Sequence, residues 1–259
     1  MYGPGSNNWV VFGGLNIVSV YSIMSIVTVS VLHYRPAARF RAFANMGRAL
    51  MRPFSAEGLR FGKLMGSGQN FGLIPNLSTY VYMGVWDTEQ QAGQFLNSSS
   101  FAALSDGTDS VSTLYLAPYH AHGLWDGVNP FGDGRPQGAT RPPNPDAPVA
   151  VLTRATIRLG ALPDFWRHVP AARQRLLDHK DNLLFAIGVG ETPVVQQCTI
   201  SVWRNRAAVE QFAYRQSGHK EVVRRTRDRR WYSEELFARF SVVGWDNPPA
   251  SATLTSSLE

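Results

Sequence analysis

The chain has little cysteine and little charge. Cys198 is the only cysteine among 259 residues, which excludes an internal disulfide and a cysteine-based zinc or iron–sulfur site within one chain. Charged residues make up 17% of the chain, below the roughly 25% that is usual in soluble proteins. A lone cysteine fits a reducing compartment, so we expect a cytoplasmic protein.

Charge is missing altogether from residues 1–32. Because no basic segment opens the chain, the stretch does not match a secretory signal peptide. Polar residues interrupt its apolar positions and make it a weak membrane span. We expect residues 1–25 to form an uncharged, disordered or peripheral leader, with membrane association as the alternative left open.

Several familiar motifs are also absent. The sequence has no phosphate-binding loop, no CxxC pair and no Ser-His-Asp arrangement, and the Gly188-x-Gly190 motif lacks the third glycine of a dinucleotide site. The net charge is +6, but there is neither a basic low-complexity run nor an RNA-binding motif. We therefore expect no nucleic-acid partner.

What the chain does contain is apolar and aromatic material, 44% and 12% of its residues. That amount is enough for a substantial core, and the aromatic share is high enough to line a cavity for an apolar ligand. Aromatic packing alone is the simpler explanation of the same numbers.

An internal duplication organises the sequence. Trp86 and Phe95 lie nine residues apart in the first half, as do Trp203 and Phe212 in the second. A further tryptophan follows after 39 and 42 residues, at Trp125 and Trp245. Upstream, Phe40 precedes the glycine-rich stretch 61–68 much as Phe165 precedes 184–190.

Each half is predicted to fold as strand, helix, strand, strand, helix, strand. The first half has strands near 26–34, 61–66, 79–86 and 112–120, and helices near 36–50 and 88–105. The second half has strands near 149–158, 183–189, 196–203 and 238–245, and helices near 161–178 and 205–235. The predicted domains are repeats over 26–128 and 149–246, a Pro/Gly-rich linker over 129–148 and a disordered tail over 247–259.

This element order is that of a ferredoxin-like unit, whose antiparallel sheet carries helices on one face only. The predicted fold class is therefore α+β, with two tandem ferredoxin-like repeats, which can pack sheet to sheet. Such units can close a barrel, and the space between sheet and helices is then available to a flat apolar cofactor.

Several motifs resemble the spheroidene monooxygenase family of carotenoid 2-ketolases, in order over residues 26–246. They are STLYLAP (112–118), LTRATIR (152–158), FWRHVP (165–170), IGVGETP (187–193) and WYSEELFARF (231–240). The resemblance implies a dimeric α/β-barrel-like fold, a b-type haem and oxygen-dependent oxidation of a long polyene. The uncharged leader departs from the start expected for this family.

The resemblance also implies a mechanism and partners. Repeated hydroxylation of one allylic carbon would give a gem-diol, which loses water to form a ketone. The partners are then an apolar substrate, molecular oxygen and an external, ferredoxin-like electron donor; a homodimer and a peripheral membrane contact are left open. The alternatives are a haem enzyme of the same fold with different chemistry, such as an aldoxime dehydratase, and a non-catalytic haem or lipid carrier.

His219 is the candidate iron ligand. On a helix it shares a face with Phe212 and Val223, so the imidazole points toward the apolar side. Arg225 and Arg227 follow about two turns later and are candidates for holding the haem carboxylates. A core histidine bonded to backbone, and arginines on a solvated helix face, are the simpler alternatives.

Two further metal ligands are weaker candidates. His120 and His122 lie on one side of a strand and would need a carboxylate such as Asp126 to bind non-haem iron. We favour a surface position for this pair. Cys198 alternates with apolar residues, so a structural cysteine is favoured over a thiolate ligand.

Arg154 interrupts an otherwise apolar strand, and a charge in such a place needs a partner. Glu191 follows a glycine-flanked strand end and is the predicted partner. The pair is predicted either to bridge adjacent strands or to act in catalysis near the bound oxygen.

Overall fold

The computed structural model describes residues 25–132, 144–214 and 231–249. Most of the leader, the central part of the linker and the end of the tail lie outside these ranges. None of the helices in the described ranges is both long enough and apolar enough to cross a bilayer.

The described residues form a closed antiparallel barrel of eight strands, in the order β1-β3-β2-β6-β7-β5-β8-β4. The strands are β1 (Ile26–Tyr34), β2 (Leu59–Gly68), β3 (Pro75–Trp86), β4 (Thr108–Gly123), β5 (Val149–Ile157), β6 (Leu183–Gly190), β7 (Gln196–Trp203) and β8 (Tyr232–Asp246). Strands β1–β4 come from the first half of the chain and are neighbours, as are β5–β8 from the second. The halves meet where β2 pairs with β6 and where β4 pairs with β8.

Helices lie outside the barrel. They are α1 (Arg39–Met51), α2 (Glu89–Leu96), α3 (Ser99–Ser105), α4 (Leu162–Leu177) and α5 (Arg206–Tyr214). Side-chain caps set two of the starts, since Thr88 accepts a hydrogen bond from the Gln91 amide at 3.2 Å and Ser98 accepts one from the Phe101 amide at 3.3 Å. The α+β class is therefore confirmed.

The interior of the barrel is filled with side chains. Alternate residues of each strand point inward, and those from all eight strands form one apolar core that includes Val29, Met83, Leu152, Ile200 and Phe240. Any space for a ligand must therefore lie on the outer faces, beneath the helices.

Two element boundaries differ from the prediction. The predicted helix over 88–105 is two helices, because the Asn97–Ser98 break starts a new cap. The predicted helix over 205–235 is wrong at its end, since β8 already begins at Tyr232. Glu234 lies on β8, on the inner side, where it accepts a hydrogen bond from the buried Arg154. Because this inward-facing residue is polar, the start of β8 does not show the apolar alternation by which a strand is predicted.

The predicted duplication can be compared with contacts in both halves. Trp86 and Phe95 have ring centroids 5.0 Å apart at 40°, and Trp203 and Phe212 have them 4.8 Å apart at 37°. The second pair of matched tryptophans, Trp125 and Trp245, occupies different places. Trp125 lies beyond the end of β4, whereas Trp245 lies inside β8. That part of the spacing match does not correspond to a shared position.

Candidate functional site

Among the described residues, the outer faces of the two halves differ at one matched position. The fifth residue of β1, Ser30, is fully buried, whereas the fifth residue of β5, Thr153, is exposed in the middle of its strand. Both strands lie inside their half of the barrel, with neighbours on each side. The difference therefore does not come from a sheet edge, and the neighbours of Thr153 on the same face of β5, Val151 and Ala155, are buried.

We call the surroundings of Thr153, on the outside of β5, β7 and β8, the second-half face. Strand pairing puts Thr199 of β7 and Phe237 of β8 on either side of Thr153, and both are half-buried. Helix α4 contributes Val169 to the apolar cluster on this side of the sheet. The floor is thus a mixture of small polar and apolar side chains under a helix.

Two arginines lie near this region. Arg239 follows Phe237 by two residues on β8, and its guanidinium lies 5.4 Å from the centre of the Phe237 ring. Arg173 lies one helical turn after Val169, on the same side of α4. Among the described residues neither arginine forms an ion pair, and the Nε atom of each is buried without a hydrogen bond.

Both arginines are half-buried, and a buried Nε–H donor without an acceptor is unfavourable. Guanidinium groups bind carboxylates through short, charge-assisted hydrogen bonds, so an anionic ligand on the second-half face would satisfy both. A ligand with an apolar body and carboxylate arms fits the combination of Phe237, Val169 and the two arginines. The sequence reasoning missed Arg239, although its position in an apolar strand is the same signal that singled out Arg154.

The structure describes only part of the predicted cofactor site. Phe212 lies on α5 and packs against Trp203 and against His179, whose ring centre is 5.5 Å away. His219, Val223, Arg225 and Arg227 lie outside the described residues. Their assignment stays a prediction.

The histidine pair lies at the border of the second-half face. The rings of His120 and His122 are 5.6 Å apart on β4, and both are near Phe237. Burial, the neighbouring His122 and Arg239 lower the pKa of His120. Asp126 is held by Lys63 and Arg154 instead, and the described residues contain no cluster of three metal ligands.

Cys198 is a structural residue, as predicted. It is 1% exposed and belongs to the apolar core inside the barrel. Burial raises the pKa of its thiol far above the usual value. A thiolate ligand is therefore excluded at this position.

Arg154 lies in an ionic network at one end of the barrel. Its side chain is 1% exposed and donates to Glu234, and to Asp126 at 3.3 Å. Glu191 is not its direct partner, which corrects the prediction. Instead Glu191 accepts from Lys63 at 2.6 Å and from the Trp125 indole at 2.7 Å.

The network is continuous, because Lys63 also donates to Asp126 at 2.5 Å. Burial raises the pKa of Glu234, but the Gly127 and Asp126 amides and the Arg154 guanidinium outweigh it, so the pKa lies below its usual value. The network links both halves and closes one end of the filled interior. Arg154 thus faces inward, opposite to its neighbour Thr153 on the second-half face.

No family model matches the chain. Two curated proteins named spheroidene monooxygenase are similar to it. The protein from Cereibacter sphaeroides is 34% identical over 206 residues, which are 76% of this chain and 61% of that protein. The protein from Rhodobacter capsulatus is 36% identical over 197 residues, which are 74% of this chain and 80% of that protein.

A solved structure supports the fold. An aldoxime dehydratase in complex with butyraldoxime superposes with a TM-score of 0.51 at 11% identity, covering 86% of this chain and 80% of that one. At such identity the likeness concerns the fold alone. The identities of the curated relatives carry the assignment: the chain belongs to the spheroidene monooxygenase family.

Proposed function

We propose that the protein is a haem-dependent monooxygenase that oxidises an apolar substrate, with carotenoid 2-ketolation as the specific reaction. The observation that carries the proposal is its similarity to proteins named spheroidene monooxygenase, 34% and 36% identical to it. Molecular oxygen and an external, ferredoxin-like electron donor are the co-reactants. The second-half face is the proposed place of the reaction.

We also propose that the two halves are tandem ferredoxin-like repeats in a dimeric α/β-barrel-like arrangement. Strand order supports this, since β4-β1-β3-β2 in the first half has its counterpart in β8-β5-β7-β6. The matching Trp–Phe contacts add support. So does the pairing of Gly66 with Gly190, the two glycines that the alignment of the halves matches.

The residues of the second-half face fit a haem. The buried, unpaired Nε atoms of Arg173 and Arg239 suit the two carboxylates of that group. Phe237 and Val169 offer apolar contact to its ring. His219 is the proposed iron ligand, while Cys198 is excluded by its position inside the barrel.

When bound, haem supplies the activation of oxygen. The chain's own contribution would be to hold the iron, to fix the carboxylates at the two arginines and to offer apolar contact through Phe237 and Val169. Arg154 and Glu191 are proposed to position β5 and the end of β6 through their ionic network. A direct catalytic role for them is the alternative.

An absorption spectrum tests the cofactor. Full-length protein supplemented with haem should show a Soret band, which His219→Ala should lose or shift. His33→Ala, which removes a first-half histidine bonded to Thr79 at 3.0 Å, should leave the band unchanged. Wild-type protein without a Soret band after supplementation would contradict the haem assignment.

Product analysis tests the reaction. Haem-loaded protein given reductant, oxygen and a carotenoid should form a product with a new carbonyl group, and His219→Ala should not. The same preparation should leave an aldoxime unchanged. Dehydration of the aldoxime without carotenoid oxidation would replace the proposed chemistry with that of an aldoxime dehydratase, and no turnover of either would favour a carrier.

A further inference from the structure

Helix α1 exposes large apolar side chains to solvent. Phe40 is 86% exposed, Phe43 61%, Leu50 54% and Met51 85%. At 100° per residue these four positions fall on one side of the helix. We call them the α1 stripe. Exposed single apolar residues are ordinary, but four large ones on one side of one helix indicate a contact surface.

The stripe is not needed to attach the helix to the barrel. Ala42 and Met46, on the opposite side, are buried and pack with the outer face of β2 and β3. The corresponding helix of the second half, α4, keeps its large apolar residues Phe165 and Trp166 half-buried. Large apolar residues of α4 are therefore covered where those of α1 are exposed.

Positive charge flanks the α1 stripe. The helix contains Arg39, Arg41 and Arg48, is followed by Arg52, and has no acidic residue. Arg41 pairs with Asp106 at 2.5 Å, while the other three form no ion pair with any described residue. On the helix, Arg39 lies on one side of the stripe and Arg48 on the other.

A second apolar segment lies at the same end of the barrel as the start of α1. β1 ends there, because His33 pairs with Thr79, and the β2–β3 connection leaves from the same end. This connection exposes Leu73 and Ile74, at 51% and 64%. The start of the α1 stripe and these loop residues thus lie at one end of the barrel.

The loop also reaches the second half. Its Phe71 is buried against Gly188 of β6, where an added β-carbon would lie 2.7 Å from the ring. A cavity of about 240 Å³ lies beneath it, between β2 and β6. The loop is therefore placed between the exposed apolar surface and the half that carries the proposed reaction.

We propose that α1 and the loop dock the protein on an anionic lipid surface, with the α1 stripe among the acyl chains and the arginines at the headgroups. An amphipathic helix with apolar residues on one side and arginines beside them binds membranes in this way. A second copy is a poor occupant, because two α1 helices face to face would bring arginines together with no acidic residue to pair them. The inference goes beyond the proposed reaction and needs no cofactor.

Vesicle flotation of the full-length protein tests the docking surface. Wild type should float with phosphatidylcholine vesicles that contain phosphatidylglycerol, and less with phosphatidylcholine alone. Phe40→Ser with Phe43→Ser should weaken binding about tenfold. Arg39→Gln with Arg48→Gln should remove the preference for anionic vesicles and the sensitivity to salt. Leu159→Ser, which changes a residue 74% exposed in the second half, is the matched control and should bind like wild type.

Folding and insertion of the helix are measured separately. Far-UV circular dichroism should show that the variants are folded, and Trp emission of Phe43→Trp should shift to the blue only with anionic vesicles. Wild type that stays unbound, or a Phe40/Phe43 variant that binds as well as wild type, would overturn the proposal. So would a wild-type dimer that becomes monomeric in that variant, since the stripe would then be a subunit interface.

Discussion

Arg154 is the residue whose removal the barrel should tolerate least. Its guanidinium is buried between the carboxylates of Glu234 and Asp126 and lies 5.4 Å from the centre of the fully buried Trp125 ring. Removing one member of a buried ionic network leaves its partners desolvated and unpaired. The network should therefore act mainly through stability.

We expect Arg154→Met to lower the free energy of unfolding by about 3 kcal/mol, because Glu234 loses its cation in a partly buried place. Urea unfolding followed by circular dichroism measures the change. Adding Glu234→Met should recover part of the loss, since a matched apolar replacement removes both charges.

The control is Arg35→Met, which removes an exposed ion pair with Asp109 and should change stability by less than about 1 kcal/mol. Carotenoid oxidation per folded molecule separates the two roles of Arg154. A folded Arg154→Met protein without activity, but with normal haem absorption, would instead place Arg154 in catalysis.

The same residue shows what a sequence can and cannot predict at this scale. A charge within an apolar strand predicts a buried ion pair, and the pair exists. Its partners could not be chosen from the sequence, because Glu234 becomes adjacent only when β8 lies beside β5. Glu191 was near enough to join the network, through Lys63, without touching Arg154.

At the scale of elements, helix α4 and strand β8 are expected to bind the carboxylates of the cofactor. We predict that Arg173→Leu and Arg239→Leu each weaken haem binding about tenfold, because each loses a charge-assisted hydrogen bond. Haem titration followed at the Soret band measures the affinity.

The haem-free forms of these variants give an independent result. The free energy of unfolding of the haem-free protein should stay the same or rise, since a buried Nε–H donor without a hydrogen bond is removed. Arg35→Leu serves as the exposed control and should alter neither the haem affinity nor the free energy of unfolding. If haem affinity were unchanged in both variants, the carboxylate assignment would fail while the docking surface on α1 would be unaffected.

Strands were easier to predict than helices in this chain. β1 and β5–β7 alternate or are continuously apolar, and turn residues bound them, so their positions follow from local pattern. The end of the last predicted helix could not be placed from local pattern, because the inward-facing Glu234 interrupts the apolar alternation of β8. The exposure of Thr153 on the second-half face also lies beyond sequence reasoning, since the strand pattern does not show which outward-facing residues of an inner strand are covered.

At the scale of the whole molecule, the two halves meet at two unequal seams. β4 and β8 pair along residues 113–123 and 236–246, whereas β2 and β6 pair only through Gly66 with Gly190 and Ser67 with Val189. Alignment of the two halves matches the glycines of the short seam but does not show that they pair with each other. Closure of the barrel is a long-range property that local spacing does not contain.

The short seam should open before the long one. Native-state hydrogen exchange should show faster exchange for the amides of 66–67 and 189–190 than for those along β4 and β8, because fewer neighbouring bonds protect them. Gly190→Ala should increase the difference in exchange rate between the two seams, since its added β-carbon would collide with the Gln196 carbonyl oxygen. Gly93→Ala, in open space on α2, should instead stabilise the protein by about 1 kcal/mol without changing the seam. Equal protection at both seams would show that the barrel opens as one unit, and the ionic network would then be the feature that joins the halves.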